Sequence, residues 1–155
     1  MTTFRVAFVD LYPLRRGPTG VETLALRRSA QGRCTGAWEV VHGSIEPGEV
    51  PLEAALRELA EETGLAAERL YNLSRVETFY RHRVDEVAFI PVFAAFVRDA
   101  PVRLSKEHDA FEWLPLAAAG QRLAWPRERR ALEHIALLLT DGNAGVLEDV
   151  LAVDR

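Results

Sequence analysis

Along the first hundred residues, apolar positions fall into short runs bounded by turn residues, a pattern that predicts strands. Residues 4–12 are rich in Val, Phe and Leu and predict a buried strand. Residues 13–20 hold two prolines and two glycines and predict a turn-rich connection, with 21–28 returning as the hairpin partner. A further loop spans 29–36, and Trp38-Glu39-Val40-Val41 reads as one short strand. Between 51 and 63 the period changes. At 100° per residue, Leu52, Ala55, Leu56, Leu59, Ala60 and Thr63 fall on one arc, which predicts an amphipathic helix with that arc on the core. Pro51 suits its first turn and Gly64 its left-handed close. After a connector at 66–69 the strand pattern resumes over 70–83 and 87–97. The second run is wholly apolar and reads as a central strand, with Pro91 marking a bulge or its beginning. A last strand at 111–114 precedes a short helix at 117–123 and a longer one from Pro126 to about Thr140. The tail at 144–155 is compatible with a docked helical turn or with fraying. Strands and helices without regular βαβ alternation predict an α/β domain, a mixed sheet with helices packed on it.

The helix carries more than a core face. Glu58, Glu61 and Glu62 lie outside its apolar arc at spacings of three and four. Like charges so placed repel by roughly 0.2–0.5 kcal/mol per pair. Taken singly, each is an ordinary solvated carboxylate; together they suit a cation. Oxygen ligands of this kind favour a hard divalent ion such as Mg2+, which keeps water and substrate phosphates in its shell. The loop ahead of the helix holds Gly43 and Gly48, which let backbone approach closely, and Glu49, placed to pair with Arg57.

Read as one motif, Gly43-x5-Glu49-x7-Arg57-Glu58-Leu59-x-Glu61-Glu62-x-Gly64-Leu65 resembles the Nudix box at every defined position. The resemblance implies the Nudix fold, an α/β/α sandwich, and a hydrolase that uses Mg2+ or Mn2+ to direct water at a phosphoanhydride. Carried over by residue, Glu58 and Glu62 are implied metal ligands. Glu61 shares that role or acts through water, Glu49 and Arg57 are the orienting pair, and the Gly43 carbonyl is a further ligand. The general base stays open between Glu58 and a carboxylate outside the box.

A looser likeness runs from about residue 5 to 135. Trp38-x-Val40-x-x-Gly43-Ser44-Ile45-Glu46-x-Gly48-Glu49 and Glu107-His108-x-Ala110-Phe111-x-Trp113-Leu114 are similar to the dihydroneopterin triphosphate/dATP pyrophosphohydrolase branch. That likeness implies Glu107 as a completing metal ligand and Arg5 and Arg27 as substrate-binding cations, the alternative for each being a solvated surface charge. It departs at Ala124, where the branch carries a small hydroxyl residue. His42, just before the box glycine, is either a substrate contact or a structural histidine. Arg81-His82-Arg83 is either a phosphate clamp or a solvated basic run. Trp38, Trp113 and Trp125 read as core or wall residues, the alternative being base-stacking platforms.

Composition narrows the picture further. Residues 1–155 read as a single domain, and 48% hydrophobic content suffices for a core. A net charge of −4 argues against a nucleic-acid partner. Cys34 is the one cysteine, which rules out a disulfide framework within the chain. No signal-peptide pattern or membrane-length apolar run is visible, so the expectation is a cytoplasmic protein without a membrane partner. Four histidines without ligand spacing speak against zinc. The expected substrate is a nucleotide or pterin polyphosphate, a (d)NTP or dihydroneopterin triphosphate. The alternatives are a dinucleoside polyphosphate, toward which Tyr80 points, an ADP-sugar, or a non-catalytic nucleotide-binding domain. A homodimer is left open.

Overall fold

A computed structural model describes residues 1–154. The strands are β1 (Thr3–Val6), β2 (Phe8–Gly17), β3 (Gly20–Arg28), β4 (Trp38–Glu39), β5 (Val41–Ser44), β6 (Ala67–Arg81), β7 (Glu86–Val97) and β8 (His108–Pro115). The helices are α1 (Pro51–Thr63), α2 (Leu116–Arg122), α3 (Pro126–Leu139) and the short α4 (Glu148–Leu151), which follows a 3-10 turn at Gly145–Leu147.

The strands form one mixed sheet. β7 pairs in parallel with β1 and with β2, while β2–β3, β2–β5, β3–β4, β3–β8 and β6–β7 are antiparallel. Side chains of a strand alternate between faces, and here each face has its own core. Val9 and Leu11 of β2, Leu24 and Leu26 of β3, and Phe93 and Ala95 of β7 pack with Ala54, Ala55 and Leu59 of α1. Tyr12, Leu14, Ala25, Val92, Ala94 and Phe96 point the other way and pack with Ala119, Ala131, Leu132, Ile135 and Leu139 of α2 and α3. Helices thus cover both faces, the expected α/β/α sandwich.

Several boundaries differ from the sequence reading. The expected 4–12 strand is two, because Ala7 donates to the Phe89 carbonyl and accepts from Ile45 N–H as the chain passes from β1 to β2. β2 then continues through Pro13, which is buried beside Ala95, and the turn shrinks to Pro18 and Thr19. The expected 38–41 strand breaks at Val40, whose N–H donates to the Glu128 carboxylate of α3 at 2.9 Å. β6 absorbs most of the expected connector at 66–69. Pro91 lies within β7, and the bulge belongs to its partner, β6, between Asn72 and Val76, where Ser74 takes φ 53°. The tail docks: Ala152 bridges to Tyr71, and the Tyr71 hydroxyl donates to Glu148 at 2.9 Å.

Candidate active site

α1 begins and ends where the sequence predicts, but it is turned about its axis. Ala60 is exposed, whereas Ala54, Glu58 and Glu62 are buried with Ala55, Leu59 and Thr63. Two of the three carboxylates therefore sit against the sheet. Gly43 on β5 makes this possible: a Cβ there would run into the Glu58 carboxyl group.

Arg57 ties the loop and helix together. Its Nε and Nη2 donate to the two Glu49 oxygens at 2.8 and 2.9 Å, Nη2 donates to the Ser44 carbonyl at 2.9 Å, and Nη1 donates to Glu58 at 2.9 Å and Glu61 at 3.2 Å. A second Glu49 contact comes from the Glu46 N–H at 3.0 Å. Hydrogen bonds from Arg57, then that N–H, push the Glu49 carboxyl down to about 2. Glu49 and the other contacts of Arg57 raise the guanidinium in turn. Glu49 and Arg57 are thus in direct contact.

Glu62 has the opposite environment. It is 2% exposed, and neither carboxylate oxygen has a hydrogen-bond partner among the described residues. Burial, then the neighbouring Glu58, then Glu107 and Glu39, push its carboxyl well above the ordinary range. Glu107, Glu62 and His108 bring one ligand atom each within 4.8 Å of one another. A bound divalent cation would remove the repulsion and fill the orphaned valences, so the donor set fits one. Such a cation supplies charge neutralisation at phosphoryl oxygens and activation of water. The chain's own contribution is to exclude solvent from Glu62, hold Glu58 through Arg57, and leave Glu61 and Glu107 exposed at the rim.

A cleft of about 430 Å³ is lined by Phe8, His42, Phe79 and Trp125, by Arg28, Arg33, Arg81 and Arg127, and by Cys34 and Glu39. Phe8 stacks on His42 with centroids 5.2 Å apart, and the Arg81 guanidinium lies 5.3 Å over the Phe8 ring. His42 is held by Asp10, with Nδ1 and Oδ1 2.7 Å apart, and Arg127 donates to the same carboxylate at 2.9 Å. Burial pushes Asp10 up, but His42 and then Arg127 outweigh it and hold the acid below its ordinary value. Glu39 links the cleft to β3 and β8: it accepts from Arg28 at 2.9 Å and pairs with His108 Nε2 at 2.8 Å.

The family model for the NUDIX domain matches residues 6–135. The chain belongs to the NUDIX family. This is a family of pyrophosphohydrolases acting on acid anhydrides. An octanoyltransferase of Myxococcus xanthus is 39% identical over 127 residues, covering 77% of this chain but 33% of that protein. The asymmetrical bis(5'-nucleosyl)-tetraphosphatase of Rattus norvegicus is 38% identical over 101 residues, covering 63% of this chain and 68% of that one. The chain thus spans about a third of the first relative and two thirds of the second. Among solved structures, the dihydroneopterin triphosphate pyrophosphohydrolase of E. coli superposes with a TM-score of 0.66 at 23% identity, covering 86% and 96% of the two chains. That likeness shows the fold alone, and the branch expected from the sequence is one neighbour among several. No helix among the described residues is long and apolar enough to cross a membrane.

Within this NUDIX site the structure gathers Gly43, Glu49, Arg57, Glu58, Glu61, Glu62 and Glu107, and places His42 in the adjoining cleft. Arg5 and Arg27 are not among the residues lining that cleft. Arg5 lies on the exposed β1 and donates to Glu86 at 2.9 Å; Arg27 donates to Asp109 at 2.7 Å. Its neighbour Arg28 faces Glu39 instead, as strand alternation requires. The sequence reading missed Glu39, His108, Asp10 and Arg127. His108 directly follows the singled-out Glu107, a signal at hand, but Asp10 and Arg127 lie 117 residues apart and meet only through the fold.

Proposed function

We propose that this chain, as one domain, hydrolyses a phosphoanhydride bond in a nucleoside polyphosphate, with Mg2+ or Mn2+ held by Glu58, Glu62 and Glu107 and through water by Glu61. The observation that carries this is the buried, unpartnered Glu62 carboxylate beside Glu58, joined through His108 and Glu39 to a cleft with aromatic walls and four arginines. The base would rest against the Phe8–His42 stack, and Arg28, Arg81 or Arg127 would meet phosphate.

The rat relative favours a dinucleoside polyphosphate as substrate. The motif likeness around Trp38 and Glu107 favours a (d)NTP or dihydroneopterin triphosphate. Product analysis separates them. With Mg2+ or Mn2+, diadenosine tetraphosphate would give a triphosphate and a monophosphate, whereas a triphosphate substrate would give pyrophosphate and a monophosphate. Turnover of neither class, nor of an ADP-sugar, would reject the hydrolase reading. Glu62→Gln is expected to lower turnover by about a hundredfold or more with folding retained; wild-type turnover in that variant would remove Glu62 from the metal site.

A further inference from the structure

His108 is buried with its side chain fully shielded, and Nδ1 has no hydrogen-bond partner among the described residues. A buried polar atom left so is unusual in a folded protein and calls for a missing partner. Nδ1 stands 3.9 Å from Glu62 Oε1, too far for a hydrogen bond to satisfy either atom. The other ring nitrogen is occupied. Nε2 lies 2.8 Å from Glu39 Oε2, the oxygen that also accepts from Arg28 at 2.9 Å. With Glu39 on Nε2, Nδ1 is the ring atom left to face the carboxylates of Glu62 and Glu107, all three offering a ligand atom within 4.8 Å of one another.

A carboxylate that takes one ring N–H, and so aims the other nitrogen, is the arrangement that orients histidine toward a metal. We propose that His108 is a metal ligand through Nδ1, which makes this a mixed oxygen and nitrogen site that favours Mn2+ over Mg2+. This rests on the metal site proposed above. Imidazole is a poor partner for Mg2+, which takes oxygen, and a better one for transition ions. Glu39 is then a positioning residue: through one carboxylate it sets the His108 tautomer and borders the substrate cleft.

The test needs no turnover. Mn2+ is titrated into metal-free protein and its spin resonance followed, with pulsed measurements reading nitrogen coupling in natural and 15N-histidine-labelled protein. A directly bound imidazole gives a strong 14N coupling that converts to the 15N pattern on labelling. In His108→Gln the coupling is lost and Mn2+ affinity falls by about tenfold or more. Mg2+ affinity, measured by competition, shifts by no more than about threefold. Mn2+ bound to the wild type without histidine coupling overturns the proposal and leaves the carboxylate site standing. Coupling that survives in His108→Gln overturns it too, because another histidine would be the ligand. Should that variant fail to fold, the labelled wild type still decides whether a histidine binds. No Mn2+ binding by the wild type at all would reject the metal site itself.

Discussion

Gly43 has a task that no other residue can perform. The Glu58 carboxyl group occupies the space a side chain at position 43 would need, and that carboxyl is also held by Arg57 Nη1. In Gly43→Ala the obstacle is the end of a flexible side chain, so the backbone has no need to move and Glu58 does. The expected outcome is a folded protein, with melting close to wild type, whose turnover falls by about a hundredfold, the scale of an ångström of misplacement at a reacting centre. Turnover within a few-fold of wild type would mean that Glu58 has no placed role. Arg57 explains why the displacement is not absorbed: all three of its nitrogens are already bonded, to Glu49, Ser44, Glu58 and Glu61. The motif named Gly43 and Glu58 but could not show their contact, which joins β5 to α1.

At the scale of elements, legibility followed the range of the interaction. The ends of α1 were plain because Pro51 and Gly64 act locally, and Gly64 takes φ 72° while its N–H closes on the Ala60 carbonyl at 2.9 Å. Gly64→Ala would place an ordinary residue in that left-handed conformation and press its Cβ on Arg103. The expected loss is about 1–2 kcal/mol of stability, read from urea unfolding; no loss would show that the helix end relaxes. The rotation of α1 was not plain. At 100° per residue Ala54 lies 100° beyond Ala55 and outside the apolar arc, with Glu58 and Glu62 between them, so periodicity pointed to Ala60 instead. Arg57 and its loop partners, with the Gly43 contact, bring Glu58 and Glu62 inward. The split of 38–41 into β4 and β5 was hidden for a related reason. The group that takes the Val40 N–H is Glu128, 88 residues away, and no local pattern carries that information. The surroundings of His108 were hidden in the same way, although Glu107 beside it was singled out: its partner Glu39 and the nearby Glu62 come from β4 and α1.

Across the whole molecule, Glu128 is a side chain through which α3 holds the junction of β4 and β5. It is 1% exposed and accepts from the N–H groups of Val40 at 2.9 Å and Trp125 at 3.0 Å. Burial lifts its carboxyl to about 7 against both hydrogen bonds; Asp10 of β2 adds to the rise, and Arg127 opposes it. Tyr12, also on β2, feels the Glu128 charge and is itself raised, first by burial. The sign for stability follows. Below about 4.5 the acid is protonated in both folded and unfolded chains and imposes no penalty. As pH climbs toward 7 the unfolded chain gives up the proton first, so the folded state loses ground, and the loss is complete once the folded group ionises. A shift from 4.5 to about 7 amounts to roughly 3 kcal/mol. Asp10, Glu39 and Glu49 are lowered and act in the opposite sense at more acid pH, but they remain in a Glu128→Gln variant and cancel in the difference. Glutamine keeps one acceptor for the two N–H groups, so the variant should be weaker than wild type at pH 4.5 by about 1–3 kcal/mol. That deficit should shrink by roughly 3 kcal/mol, and can change sign, on going to pH 8. Unfolding in urea at a series of pH values reads the difference directly. A deficit that stays constant across the range would show that Glu128 keeps an ordinary carboxyl in the folded protein, the hydrogen bonds from Val40 and Trp125 and the charge of Arg127 offsetting its burial.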